Sequence, residues 1–136
     1  MNILVIDAQG GGLGKQLITS VKEQIPGAYV TAVGTNATAT ANMLKAGADF
    51  SATGENAVKV CVKEADVIVG PVGICITDAM GGEITKKMAA AVGRANAKRI
   101  LIPFNNCNTF IVGTGKKKIS ALIEEAVAQI TGTEKE

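Results

Sequence analysis

The sequence predicts an α/β fold, a three-layer sandwich around a mainly parallel five-stranded sheet. Three observations predict it. Short apolar runs rich in Val and Ile alternate with longer segments whose apolar residues recur at helical spacing. The first run, Asn2 to Asp7, is continuously apolar from Ile3 to Ile6, as expected of a strand covered on both faces, and it leads straight into a glycine cluster. Aromatic residues make up 3% of a chain that is 47% hydrophobic, so the core must be built from Val, Ile, Leu, Met and Ala, which suits helices packed on a sheet.

The elements follow in order. After the first strand, a helix over 12–24 carries Leu13, Leu17, Ile18 and Val21 on one face and is stopped by Pro26-Gly27. A β-branched strand over 28–33 is broken by Gly34-Thr35-Asn36, which can cap a helix over 37–46 that Gly47 ends. A weak strand over 49–53 precedes a helix opened by Gly54-Glu55-Asn56. A strong strand over 66–70, a glycine-spotted loop and a helix over 83–93 come next. A fifth strand covers 98–104, and Thr109 to Val112 read as a short sixth. The last helix, 116–130, repeats Ile119, Leu122, Ile123, Ala126, Val127 and Ile130 at helical spacing. Residues 1–130 therefore form one domain, and 131–136 are expected to fray. Both strand orders 3-2-1-4-5 and 2-1-3-4-5 fit this alternation.

Composition excludes several functions. With 14 basic and 12 acidic residues the net charge is +2, and only Arg94 and Arg99 are arginines, so no concentrated basic face for nucleic acid is expected. The longest apolar run, Val67 to Thr77, is interrupted by Pro71 and falls short of the roughly 20 residues of a membrane helix. No signal-like segment opens the chain, and a soluble, cytoplasmic protein is expected. Three cysteines, Cys61, Cys75 and Cys107, with no histidine, argue against a disulfide framework and a zinc site, so no metal is expected. The absence of histidine also removes Ser-His-Asp and Cys-His catalysis.

In parallel sheets, ligands bind beyond the carboxyl ends of the strands. The loop that follows the first strand there reads Gln9-Gly10-Gly11-Gly12-Leu13-Gly14-Lys15. Glycines let a phosphate approach the backbone, the first helical turn offers free N–H groups and partial positive charge, and Lys15 adds a full one. The dinucleotide spacing Gly-x-Gly-x-x-Gly fails at Lys15 and Leu17, and the P-loop spacing fails at Gln9 and Gln16. The loop is most similar to the Gly-x-x-x-Gly-x-Gly of short-chain dehydrogenases, with Ala8 at the first glycine, but that family's Tyr-x-x-x-Lys is absent and Tyr29 falls in a strand, where a structural role is expected. The ligand class expected is a small anion of nucleotide type, NAD(P) among them, on a Rossmann-like domain.

Other strand ends complete the expected binding site. Asp7 can position Lys15 or a ligand hydroxyl, Thr35 and Asn36 can reach a sugar, Gly70, Pro71 and Gly73 let a base or sugar pass close to the backbone, and Asn105 lies in a polar loop. No acid follows the second strand to hold a ribose. Catalytic residues are not assigned. Asp7, Lys15, Glu83 and Cys107 are the groups available, with Glu83 expected chiefly to favour a helix N-terminus by its charge. The alternative to a ligand site is a partner-binding module in which the glycines serve turns, and the abundance of Ala and Val leaves room for a homodimer.

Several motifs together resemble one small bacterial family, domain of unknown function 3842: Ile6-Asp7-x-Gln9-Gly10-Gly11-Gly12-x-Gly14-Lys15, Gly34-Thr35-Asn36-Ala37, Met43 to Ala48, Ala52 to Ala57, Gly82-Glu83-Ile84-Thr85 and Ile102-Pro103-x-Asn105-x-Cys107. In that family the loop usually reads Asp-Gly-Gln-Gly-Gly-Gly, so Ala8 is a departure. The resemblance implies a compact α/β domain and no particular activity.

Overall fold

The structure, a computed structural model, describes residues 1–104 and 108–135. Its elements are β1 (Asn2–Asp7), α1 (Gly12–Gln24), β2 (Tyr29–Gly34), α2 (Ala37–Lys45), β3 (Phe50–Thr53), α3 (Glu55–Cys61), β4 (Val67–Pro71), a 3₁₀ turn (Val72–Cys75), α4 (Lys86–Arg94), β5 (Lys98–Ile102) and α5 (Ile119–Lys135). All strand pairs are parallel and the order is β3-β2-β1-β4-β5, the first of the two orders open to the sequence. The chain steps outward from β1 through β2 to β3, then returns to lay β4 on the other side of β1. The switch point thus falls between β1 and β4, and the loops after these two strands stand at the end of the sheet where parallel α/β folds place their ligands.

Alternation along β1 divides the core. Ile3 and Val5 face a layer containing Leu17, Ile18 and Val21 of α1, Met43 of α2, and Ile123, Val127 and Ile130 of α5. Leu4 and Ile6 face the opposite layer, where Val58 of α3 and Met88 and Val92 of α4 pack. Both faces of the central strands are covered, which explains why their sequence shows no polar alternation.

Four expectations about the elements are corrected. No strand forms over Thr109 to Val112, because the segment enters a turn in which the Thr114 hydroxyl donates to the Ile111 carbonyl and Gly113 has a φ of 90°. α4 begins at Lys86 instead of 83, because Thr85 is its cap and accepts from the Met88 amide. Residues 78–84 are instead a closed loop, tied by Asp78 N–H to the Ile84 carbonyl and Ile84 N–H to the Ala79 carbonyl, with positive φ at Asp78, Met80, Gly81 and Gly82. α5 starts only after Lys116-Lys117-Lys118, a cationic run that opposes the positive end of a helix dipole. It also continues to Lys135, through the stretch expected to fray. Ile130 is fully buried, and beyond it the Thr131 hydroxyl still bonds back to the Ala128 carbonyl.

Candidate functional site

The glycine loop lies at the carboxyl end of β1, and its shape follows from a few side chains. Asp7 ends β1 and is 4% exposed. Its Oδ1 accepts from the Ala8 amide and its Oδ2 from the Gly14 amide, both at 2.8 Å, so one carboxylate spans the loop from its first residue to the first turn of α1. Burial pushes the Asp7 carboxyl above the usual range, the two amide bonds pull it down, and the charge of Glu83 raises it further. On the α2 side, the Asn36 amide donates to the Gln9 carbonyl at 2.9 Å and the Asn42 amide to the Gly10 carbonyl at 2.7 Å. In a trans peptide the N–H points opposite to the C=O, so pinning the Gln9 carbonyl toward α2 turns the Gly10 N–H away from it.

Asn42 had no role in the sequence-based expectation. It sits two turns into α2, on the same helix as the Asn36 cap, and only the fold brings it to Gly10.

The four loop glycines have different reasons to be glycine. A Cβ on Gly11 would lie 2.9 Å from the Ala39 backbone, and Gly11 has a φ of 71°. A Cβ on Gly14 would lie 2.5 Å from the Met43 sulfur and 3.1 Å from the Asp7 Cβ. These two glycines serve the close packing of α1, α2 and β1. Gly10 and Gly12 are exposed, neither has a positive φ, and a Cβ on either would meet nothing within 4 Å.

The amides divide in the same way. Those of Ala8, Gln9, Gly11, Gly14 and Lys15 are taken by Asp7, Glu83, the Ala8 carbonyl, Asp7 again and the Gly11 carbonyl. The Gly10, Gly12 and Leu13 amides have no partner among the described residues, and the same holds for the Lys15 ammonium. The loop is thus partly filled by the protein's own groups, with three amides left unpartnered among the described residues.

Glu83 is the largest departure from the sequence-based expectation. It is not at the N-terminus of α4. Its Oε1 instead reaches across the ends of β1 and β2 and accepts from the Gln9 amide at 2.8 Å, the Thr35 hydroxyl and the Asn36 amide at 2.8 Å. The Thr35 bond does most to hold the Glu83 carboxyl below its usual range; partial burial raises it, and Gln9 and Asn36 lower it further. Its Oε2 makes no hydrogen bond among the described residues. The acid missing after the second strand is therefore supplied from a loop far along the chain, and Gly81-Gly82, both at positive φ, allow the turn that delivers it.

The remaining expected residues fall into three groups. Thr35 and Asn36 are in the site, but the Thr35 hydroxyl donates to Glu83, the Asn36 amide donates to Glu83 and the Gln9 carbonyl, and Asn36 also caps α2 by accepting from the Ala39 amide. Gly70, Pro71 and Gly73 lie buried at the end of β4. A Cβ on Gly70 would fall 2.4 Å from the Ile6 carbonyl oxygen, so this glycine serves strand packing and not ligand approach. Asn105 and Cys107 lie outside the described residues. Burial raises the thiols of Cys61 and Cys75, which makes neither a ready nucleophile. Tyr29 stands in β2 but is 46% exposed, so it is not a core residue.

Among the described residues no cluster of three or more acidic or cysteine side chains forms a metal site, and no helix is long and apolar enough to cross a membrane. Comparison with curated proteins finds no match. Among solved structures, the dodecameric FMN-dependent Ubix-like decarboxylase from Escherichia coli O157:H7 has a TM-score of 0.48 at 13% identity, over 100% of this chain and 95% of that one. This likeness carries nothing about a ligand, and the dehydrogenase likeness of the loop stays one of spacing alone. A family model described as "Domain of unknown function (DUF3842)" matches residues 2–135. With nearly its whole length matched, the chain belongs to the DUF3842 family.

Proposed function

We propose that this protein binds a nucleotide over the open side of the glycine loop, with its phosphate on the Gly10, Gly12 and Leu13 amides and Lys15. The observation that carries the reading is the pair Gly10 and Gly12. Neither packing nor backbone conformation requires glycine there, and the missing Cβ leaves the loop backbone open to a group that approaches from outside. Gly12 and Leu13 are the first residues of α1, where unpaired amides and the helix dipole favour an anion. Glu83 completes the reading. With Oε1 fixed by three donors, Oε2 is available to a ribose hydroxyl. This is the role an acid at the end of the second strand has in dinucleotide sites. The function is binding, and no chemical step is assigned.

Thermal unfolding with NAD, NADP, ATP, GTP, FMN and coenzyme A tests the proposal. A ligand at 100 times its dissociation constant adds about 2.7 kcal/mol of stability. At least one of the six is expected to raise the midpoint, and Lys15→Ala to reduce the rise. No shift with any of them overturns the reading.

A second reading is favoured by a separate observation. Tyr29, Phe50 and Val60 are 46%, 51% and 52% exposed around a cleft of about 350 Å³ on the α3 side of β2 and β3. Such a patch suits contact with a second copy of the chain.

A further inference from the structure

A second cavity lies away from the glycine loop. It is a cleft of about 600 Å³ between α3 and α4, next to the turns that lead into β4 and β5. Its floor is apolar, with Val62, Ala65, Ala90 and Ala91 among its residues, and its walls carry Lys59, Lys63, Lys87 and Arg94. No acidic residue lines it. None of the four cations has an ion pair or hydrogen bond among the described residues.

This arrangement is unfavourable for the protein alone. Lys59 in the last turn of α3 and Lys63 in the turn just beyond it add two like charges to a cleft that no acidic residue lines. Lys87 sits in the first turn of α4, where the helix dipole opposes a cation and where no acid is present. Lys59 and Arg94 do suit the last turns of their helices, but that explains only half of the charge. The Lys87, Ala90, Ala91 and Arg94 positions form one stripe at helical spacing, apolar in the middle and cationic at both ends. The volume falls within the range of about 300–1,000 Å³ typical of small-molecule sites.

We infer that this cleft is a second binding site, for a small organic polyanion with a flat apolar body. The body would lie on the alanine and valine floor and the anionic groups would meet the four cations. The inference does not depend on the glycine-loop reading.

Pyrene tetrasulfonate, a flat fluorescent probe with several anionic groups, tests it. Fluorescence titration of the full chain is expected to show saturable binding of one probe per chain that weakens with added salt. Joint Lys63→Glu and Arg94→Glu substitution should weaken binding by roughly tenfold or more. The neutral pair Lys63→Gln and Arg94→Gln should weaken it less, with circular dichroism confirming that both variants fold. Reversing Lys116 and Lys118, which lie outside the cleft, should leave it unchanged. Absence of saturable binding overturns the inference, and so does an equal loss on reversing Lys116 and Lys118, which would mean diffuse surface charge.

Discussion

Two carboxylates flank the glycine loop, and their environments push them in opposite directions. Asp7 is buried, and desolvation raises it. Glu83 is held by three donors to one oxygen, and they lower it. A lowered acid stabilises the fold above its unfolded pKa, and this contribution is lost as the pH falls through its folded value; a raised acid has the opposite sign. Glu83→Gln keeps an acceptor but removes the charge. It is expected to lower stability at neutral pH by about 1 kcal/mol, allowing for water around a partly exposed group. Urea unfolding across pH checks the sign. The gap between Glu83→Gln and the parent should be full above the ordinary carboxylate range and close below it. A gap that persists in acid would mean that shape, and not charge, sets the contribution. The position of Glu83 was not legible in the sequence because its partners at Gln9, Thr35 and Asn36 are joined to it only through the sheet order.

At the level of the elements, local signals sufficed wherever a boundary depends on neighbouring residues. β1 and α1 begin and end where the apolar run, the glycine cluster and Pro26-Gly27 place them. The Asn36 cap and the Gly47 stop of α2 also stand. The readings that failed depended on distant residues or on chemistry at helix ends, as with the start of α4 at the Thr85 cap and the start of α5 after three lysines. The glycines were legible as a loop, but their separate purposes were not, because Gly11 and Gly14 meet residues of α2. This separation is testable within one turn of α1. Gly14→Ala forces a Cβ against the Met43 sulfur and Asp7, and overpacking of this kind costs about 1–3 kcal/mol. Gly12→Ala meets open space at ordinary φ and should stabilise the fold by about 0.4–1 kcal/mol. If Gly12 serves a ligand, the same Gly12→Ala change reduces the ligand-induced shift in the midpoint. Calorimetry of the two variants with and without nucleotide reads both effects. A Gly12→Ala protein that is more stable and binds equally well would show that the residue serves no ligand.

For the molecule as a whole, the open question is what covers the β2–β3 half of the sheet. The order β3-β2-β1-β4-β5 puts β3 at an edge, and α3 spans only Glu55–Cys61, too short to shield the face beside it. The chain has few aromatic residues, yet Tyr29 and Phe50 stand half exposed there with Val60. β3 itself has four residues, a length that discourages strand-to-strand addition at the edge. Association is therefore expected through this face and not by extending the sheet. Light scattering should find a dimer in solution, and Phe50→Asp should shift it toward monomer. Because the Phe50 side chain packs only in part on its own chain, the unfolding midpoint of the monomer should change little, which separates loss of an interface from loss of the fold. A parent protein that stays monomeric at every concentration would leave the exposed aromatic face without a second copy to cover it, and the dimer reading would fall while the sheet, its two helical layers and the loop geometry at the end of β1 all stand.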